Sequence, residues 1–284
     1  MPDQITLTDT MRAALAKPVE AHKYGHGHAL VLAGGHGKGG AARLAARAAL
    51  RVGAGLVTLL APKTAISENA AQLNAVMLEC LPDAYSLRGM LEDPRITALC
   101  LGPGLGLQRA ETMVPAALRG ARPTVLDADA LSVFAPEPER LFALLHKDVV
   151  LTPHRGEFAR LFPDLAKALS EAQITRAEAC AQAAARAGCT VLLKGAETLV
   201  AAADGEIAAH DATGARAAPW LATAGSGDVL AGIICGLLAR GFAPFDAACT
   251  GTWLHVEAAR SFGPGLIAED LPEELPKVLR ALLA

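Results

Sequence analysis

Along this chain, apolar runs of strand length end repeatedly in glycine or in a small polar cluster and then pass into a helical pattern. Residues 29–33 open into Gly34-Gly-His-Gly-Lys-Gly-Gly40 and then the alanine-rich stretch 41–52. Residues 96–101 open into Gly102-Pro-Gly-Leu-Gly106, and Thr124-Val-Leu into Asp127-Ala-Asp129. Val149-Val-Leu-Thr-Pro leads to His154-Arg-Gly-Glu157, and residues 189–193 to Lys194-Gly-Ala-Glu-Thr198. A sixth cluster, Gly225-Ser-Gly-Asp228, feeds the apolar run 229–239. Apolar strands alternating with helices predict an α/β fold: a mostly parallel central sheet with helices on both faces. Further strands are expected at 55–61, 75–80, 199–202 and 207–209. Helices are expected at 9–16, from Pro62 to Leu73, around 170–187, at 244–261 and at 271–283. No linker, repeat or low-complexity run interrupts this order, so residues 1–284 are expected to form one domain.

Ligands of parallel α/β sheets bind beyond the C-terminal strand ends. Any one of the six clusters can be a plain turn. Six on one sheet edge instead point to a wide cleft that favours phosphates. In the sixth cluster, Gly225 and Gly227 allow positive φ angles and close backbone approach to a ligand. The apolar run after Asp228 reads as a buried helix of about three turns, whose first N–H groups and dipole attract an anion. A carboxylate beside an anion hole makes sense if it takes or orients a proton while the amides hold the transferring group. Asp228 also fits as an ordinary acidic residue of a first helical turn, and Glu157 fits that description equally well. The 34–40 loop departs from the Walker pattern, because Lys38 is followed by glycine. His26 and His28 would point the same way on a strand, but no cysteine or acid joins them, and no metal ligands are assigned.

Composition narrows the partners. The formal net charge is −3 and no run of lysine and arginine is visible, which argues against nucleic acid or an anionic membrane as partner. The six cysteines are scattered without a Cys-x-x-Cys pair, and read as small core residues in a reducing compartment. The N-terminus lacks the pattern of a signal peptide, and the 229–239 run falls short of a membrane span. A cytoplasmic protein is expected.

The motifs also occur in a recognisable order. His22-Lys-x-Gly-x-Gly, Gly-Gly-Ala-x-x-Leu-Ala-Ala from Gly39, Gly-Pro-Gly-Leu-Gly, Leu-Asp-Ala-Asp-Ala-Leu, Leu-Thr-Pro-His-x-Gly-Glu, Lys-Gly-x-x-Thr and Thr-x-Gly-Ser-Gly-Asp-Val-Leu-Ala-Gly follow one another between His22 and Gly241. Their order resembles that of the ADP-dependent NAD(P)H-hydrate dehydratases, a branch of the ribokinase-like small-molecule kinases. Members often carry an additional N-terminal epimerase domain; this chain has no room for one and looks like the stand-alone form.

The resemblance implies ADP-dependent dehydration of the S epimer of NADH hydrate or NADPH hydrate, releasing AMP and phosphate. It places Ala41, Gly104, His154 and Asp228 on the hydrated nicotinamide nucleotide, with Asp228 catalytic. It places Lys194, Gly195, Ala196, Glu197 and Thr198, with Gly225 and Gly227, on the adenine nucleotide. Glu197 stands where the family pattern varies. Mg²⁺ on the nucleotide oxygens and assembly into a homo-oligomer, a tetramer, are further implications. Two rivals fit the same scaffold. One is a ribokinase-like kinase of hydroxymethylpyrimidine or hydroxyethylthiazole, and the other a nucleotide-sensing subunit without catalysis, against which an intact Asp228 speaks.

Overall fold

The computed structural model describes residues 2–284. Its first half contains β1 (Asp3–Gln4), α1 (Asp9–Leu15), β2 (His28–Leu32), α2 (Gly40–Arg51), β3 (Leu56–Ala61), α3 (Ile66–Ala70), β4 (Met77–Cys80), α4 (Ala84–Met90), β5 (Ile96–Leu101), α5 (Leu107–Leu118), β6 (Thr124–Leu126), α6 (Asp129–Ser132) and α7 (Pro138–Phe142). The second half contains β7 (Val149–Leu151), α8 (Arg155–Leu161), α9 (Pro163–Ser170), α10 (Arg176–Ala187), β8 (Thr190–Leu193), β9 (Glu197–Ala201), β10 (Ile207–Asp211), α11 (Ser226–Ala239), α12 (Pro244–Phe262) and α13 (Asp270–Leu283).

The strands form one ten-stranded sheet in the order β1-β10-β9-β8-β7-β6-β5-β2-β3-β4. Every neighbouring pair is parallel except those that involve β9, which runs antiparallel to β8 and to β10. The α/β expectation therefore holds. Because β2, β5, β6, β7 and β8 run the same way, the loops after them share one edge of the sheet.

Successive side chains of a strand face opposite sides, so each strand feeds two cores. Ala29 and Val31 of β2 pack with α2, α11, α12 and α13, whereas Leu30 and Leu32 pack on the other face with α4, α5, α8 and α10. The two helices nearest the site, α2 and α11, approach closely because their facing residues are small. A Cβ added to Gly232 would overlap the Ala45 carbonyl, and one on Gly236 would meet Ala49 O at 2.6 Å. Of the fourteen residues in α11, twelve are buried, so the helix cannot slide toward solvent without exposing apolar surface.

Several expectations need correction. The helix expected around 170–187 starts only at Arg176, where Thr175 caps it with a capping box to Glu178, and a separate helix, α9, ends at Ser170. The helix after Pro62 ends at Ala70 rather than Leu73, and α11 has four turns rather than three. His26 lies in a 3₁₀ turn, and His28 bonds Thr58 Oγ1 at 2.8 Å, so the two rings do not share a strand face. Cys80 is exposed, whereas the other five cysteines are buried thiols. No helix among the described residues is long and apolar enough to cross a membrane.

Candidate active site

The loop before α11 turns on Gly225, whose φ of +88° is the left-handed conformation glycine adopts without strain. Gly227 differs from its expected role. It lies inside the first helical turn, and what it supplies is space: a Cβ there would lie 3.3 Å from the Lys194 ammonium. Ser226 and Gly227 thus present the helix N-terminus over a partly buried cation. Beneath them His255, buried in α12, has its Nε2 3.0 Å from the Ser226 carbonyl and 3.2 Å from the Ser226 hydroxyl.

Lys194 follows β8 and begins the tight turn into β9. Its Nζ donates to Asp127 Oδ1 at 2.7 Å, and Thr152 Oγ1 donates to the same oxygen at 2.9 Å. Burial works against the ammonium. The Asp127 charge and hydrogen bond, with Glu157 and Asp228 behind them, outweigh it and hold the Lys194 pKa above its ordinary value. Asp127 itself is 1% exposed.

Asp127 and Asp129 are driven apart by the residue between them. Ala128 has φ 46° and ψ −114°, a conformation costly for a residue with a Cβ. The kink sends Asp127 toward Lys194, while Asp129 Oδ2 accepts from the Gly106 amide at 2.8 Å.

Asp228, third residue of α11, feels all of these groups. Burial first, then the negative charge of Asp127, push its carboxyl up to about 6; Lys194 opposes the rise, and Asp129 and Glu157 add to it. A carboxylate that titrates near neutrality beside free helix amides is equipped to take a proton while they hold an anion.

A cavity of about 690 Å³ lies on one side of this centre. Lys194, Gly195, Ala196, Thr198, Gly227 and His154 line it, and Leu230 and Val256 are among its apolar walls. Glu197 does not line it: adjacent strand residues face opposite ways, and Glu197 is exposed on the side away from Thr198. Gly225 shapes the loop without lining the cavity. The strap between β10 and α11 roofs the space, fastened to α12 by Arg216 to Glu257 Oε1 at 2.5 Å and by Arg260 to Ala215 O at 3.2 Å.

On the other side stand Ala41 and Gly104. Ala41 lies in the first turn of α2, at the head of the alanine-rich stretch. Gly104, at φ +62°, packs so closely that a Cβ would lie 2.8 Å from Lys38 O and 3.2 Å from the Ala41 methyl. His154 caps α8: its Nδ1 accepts from the Gly156 and Glu157 amides at 2.9 and 3.3 Å, which leaves Nε2 to carry the ring proton. Glu157 completes that capping box by accepting from the His154 amide at 2.8 Å, so the first-turn reading of Glu157 is correct.

Sequence reasoning gave Asp127 and Asp129 no individual role, and it missed His255 entirely. Asp127 had a signal, an acid directly after an apolar strand. His255 sits among apolar residues of a long helix and reads there as core.

Comparison with known proteins gives this geometry a context. Residues 29–279 match the model of the family described as NAD(P)H-hydrate dehydratase. The ADP-dependent (S)-NAD(P)H-hydrate dehydratase of Neisseria meningitidis is 38% identical over 86% of this chain and 80% of its own. The bifunctional NAD(P)H-hydrate repair enzyme Nnr of Moorella thermoacetica is 39% identical over 94% of this chain; the match spans 52% of that enzyme, so the chain covers about half the length of such relatives. Among solved structures, a ribokinase-like superfamily protein from Enterococcus faecalis superposes with a TM-score of 0.79 at 23% identity, over 95% of this chain and 94% of that one. The ADP/ATP-dependent NAD(P)H-hydrate dehydratase of Bacillus subtilis, co-crystallized with ATP/Mg²⁺, gives 0.76 at 29% identity over 97% of both chains. The fold is ribokinase-like, and the chain belongs to the NAD(P)H-hydrate dehydratase family.

Proposed function

We propose that this protein dehydrates the S epimer of NADH hydrate and NADPH hydrate at the expense of ADP, releasing NAD(P)H, AMP and phosphate. The observation that carries the reading is Asp228, a carboxyl raised to about 6 at the N-terminus of α11, next to the Lys194–Asp127 pair. Family membership supports the substrate, and the name of the Neisseria relative supports ADP as donor.

The hydrate carries a hydroxyl on a saturated ring carbon, and hydroxide is a poor leaving group. Asp228 takes the hydroxyl proton as the oxygen attacks the β-phosphorus of ADP. The new O–P bond forms, the bond to the AMP oxygen breaks, and AMP leaves. The ring carbon–oxygen bond then breaks, expelling phosphate, and an adjacent carbon gives up a proton to the departing phosphate as the double bond is restored. The amides that open α11 and the Lys194 ammonium hold the charge of the transferring group. In this reading Lys194, Gly195, Ala196 and Thr198 cradle the adenine nucleotide, while Ala41, Gly104 and His154 face the nicotinamide nucleotide.

Among the described residues, no three histidine, cysteine or acidic side chains converge on one point. Mg²⁺ fits here as an ion held chiefly by phosphate oxygens and water, with Asp228 and Asp129 the carboxylates at hand. When bound, it neutralises developing phosphate charge. We further assign the protein to the cytoplasm, as a single domain that assembles into a homotetramer, which light scattering tests directly.

The activity test mixes protein, NADH hydrate, ADP and Mg²⁺ and follows the return of reduced-nicotinamide absorbance, with ATP and nucleotide-free controls. Recovery that requires ADP and yields AMP is expected. Recovery with ATP alone would overturn the donor. No recovery, but phosphorylation of hydroxymethylpyrimidine, would overturn the reaction.

A further inference from the structure

A second cavity, of about 680 Å³, runs along α2 between residues 72–76 and the start of α13. One end of it approaches the active site. Gly40, immediately before Ala41, lines its inner end, and so does Leu44, whose Cδ1 lies 2.9 Å from where a Cβ on Gly225 would sit. Arg43, Arg47 and Arg51 line the groove beyond, one helical turn apart on one face of α2. The sequence showed no basic run because four-residue spacing hides the cluster; the fold assembles it.

Like charges at that spacing repel and weaken a helix. The groove does little to offset them. Arg47 and Arg51 share the single carboxylate of Glu273. Among the described residues no carboxylate lies within salt-bridge distance of Arg43, although Glu68 Oε1 stands near it, the two lying 3.1 and 2.6 Å from where a Cβ on Gly39 would sit. The Arg43 guanidinium donates to the neutral Asn69 Oδ1 at 3.0 Å, and Asn69 is buried and fixed by donating to Ala65 O at 2.8 Å. A guanidinium aimed by a rigid neutral acceptor keeps its remaining N–H groups for an anion, and its planar fork suits phosphate.

We propose that this groove binds the phosphate-bearing half of the dinucleotide substrate distal to the nicotinamide, with Arg43 and Arg47 as the phosphate ligands. The inference rests on the dehydratase reading, in which ADP fills the first cavity and the dinucleotide needs a second one; this groove starts at Gly40, next to Ala41.

Two measurements test it. In the first, 2′-phospho-ADP-ribose, the distal half alone, is titrated by calorimetry into protein saturated with ADP. Arg43→Gln and Arg47→Gln should each weaken its binding about tenfold, as loss of a charged hydrogen bond does. In the second, kcat/KM is compared for NADPH hydrate and for hydrated reduced nicotinamide mononucleotide, which lacks that half. The ratio should fall about tenfold in each variant. Unchanged binding and an unchanged ratio, or equal losses on both substrates, would overturn the proposal. So would a change of oligomeric state in the more exposed Arg47→Gln variant, which would make the groove a subunit contact. If wild-type protein processed neither hydrate, the dehydratase reading would fail, and the calorimetric arm would still decide the groove.

Discussion

The Lys194 ammonium sits 2.7 Å from Asp127 Oδ1, so near Gly227 that a Cβ there would lie 3.3 Å from it. Through this contact the turn after β8, the end of β6 and the first turn of α11 share one charge pair, buried on its Asp127 side. Removing the cation leaves Asp127 buried and unpaired, which typically costs about 3 kcal/mol or more. It also removes the one charge that opposes the rise in the Asp228 pKa. Lys194→Met is therefore expected to lower stability in denaturant titrations and to move the acid limb of the kcat/KM profile above pH 6. An unmoved limb would separate Asp228 from Lys194.

Asp228→Asn should lose turnover by about a hundredfold or more with little change in KM for the hydrate, since general-base assistance acts in the transition state. Retention of more than about a tenth of kcat, well above what loss of a base allows, would remove Asp228 from that role. In the wild type, kcat/KM should rise with pH through about 6, as the carboxylate forms.

Much of this was legible in the sequence, and the parts that were not share a cause. Continuous apolar runs locate β2, β5, β6, β7 and β8, and the glycine and polar clusters after them come to one edge because parallel strands demand it. Gly225 and Asp228 stand out for the same reason. Glu197 marks the limit, since a five-residue motif says nothing of which side chains a strand turns toward a cavity. The Asp127–Lys194 pair joins residues 67 apart, and the His255–Ser226 contact joins residues 29 apart. No local pattern encodes such pairings; they exist only once the sheet order is set.

Ala128 tests whether strain serves the site. Its positive φ suits glycine, so Ala128→Gly should relieve about 1 kcal/mol of backbone strain. Glycine also frees the unfolded chain, which offsets part of the gain. We expect a melting temperature equal to or above the wild type, with kcat lowered several-fold because Asp127 and Asp129 are less firmly held apart. A variant that melts lower would show that the Ala128 methyl matters more for packing than for strain.

His255 and Asp228 should pull stability in opposite directions as the pH falls. Burial first, then the Lys194 and His210 charges, depress the His255 pKa to about 4, against the hydrogen bond its Nε2 donates to the Ser226 carbonyl, which favours the proton. Above pH 6.5 the ring is neutral in both folded and unfolded chains. Between about 6.5 and 4 the unfolded chain binds a proton that the folded one refuses, so stability is lost on acidification, by up to about 3 kcal/mol. Asp228 has the reverse sign. Its folded pKa of about 6 lies above the ordinary 3.8, so between those values the folded chain holds a proton the unfolded one releases, and stability rises as the pH falls. The two nearly cancel in the wild type. His255→Gln should then gain stability on acidification from pH 6.5 to 4, Asp228→Asn should lose it more steeply than wild type, and the double variant should return toward the wild-type slope. Urea titrations at a series of pH values measure all four slopes. Equal slopes in wild type and His255→Gln would mean that the imidazole takes up its proton inside the fold, and that Ser226 is not held by a neutral ring.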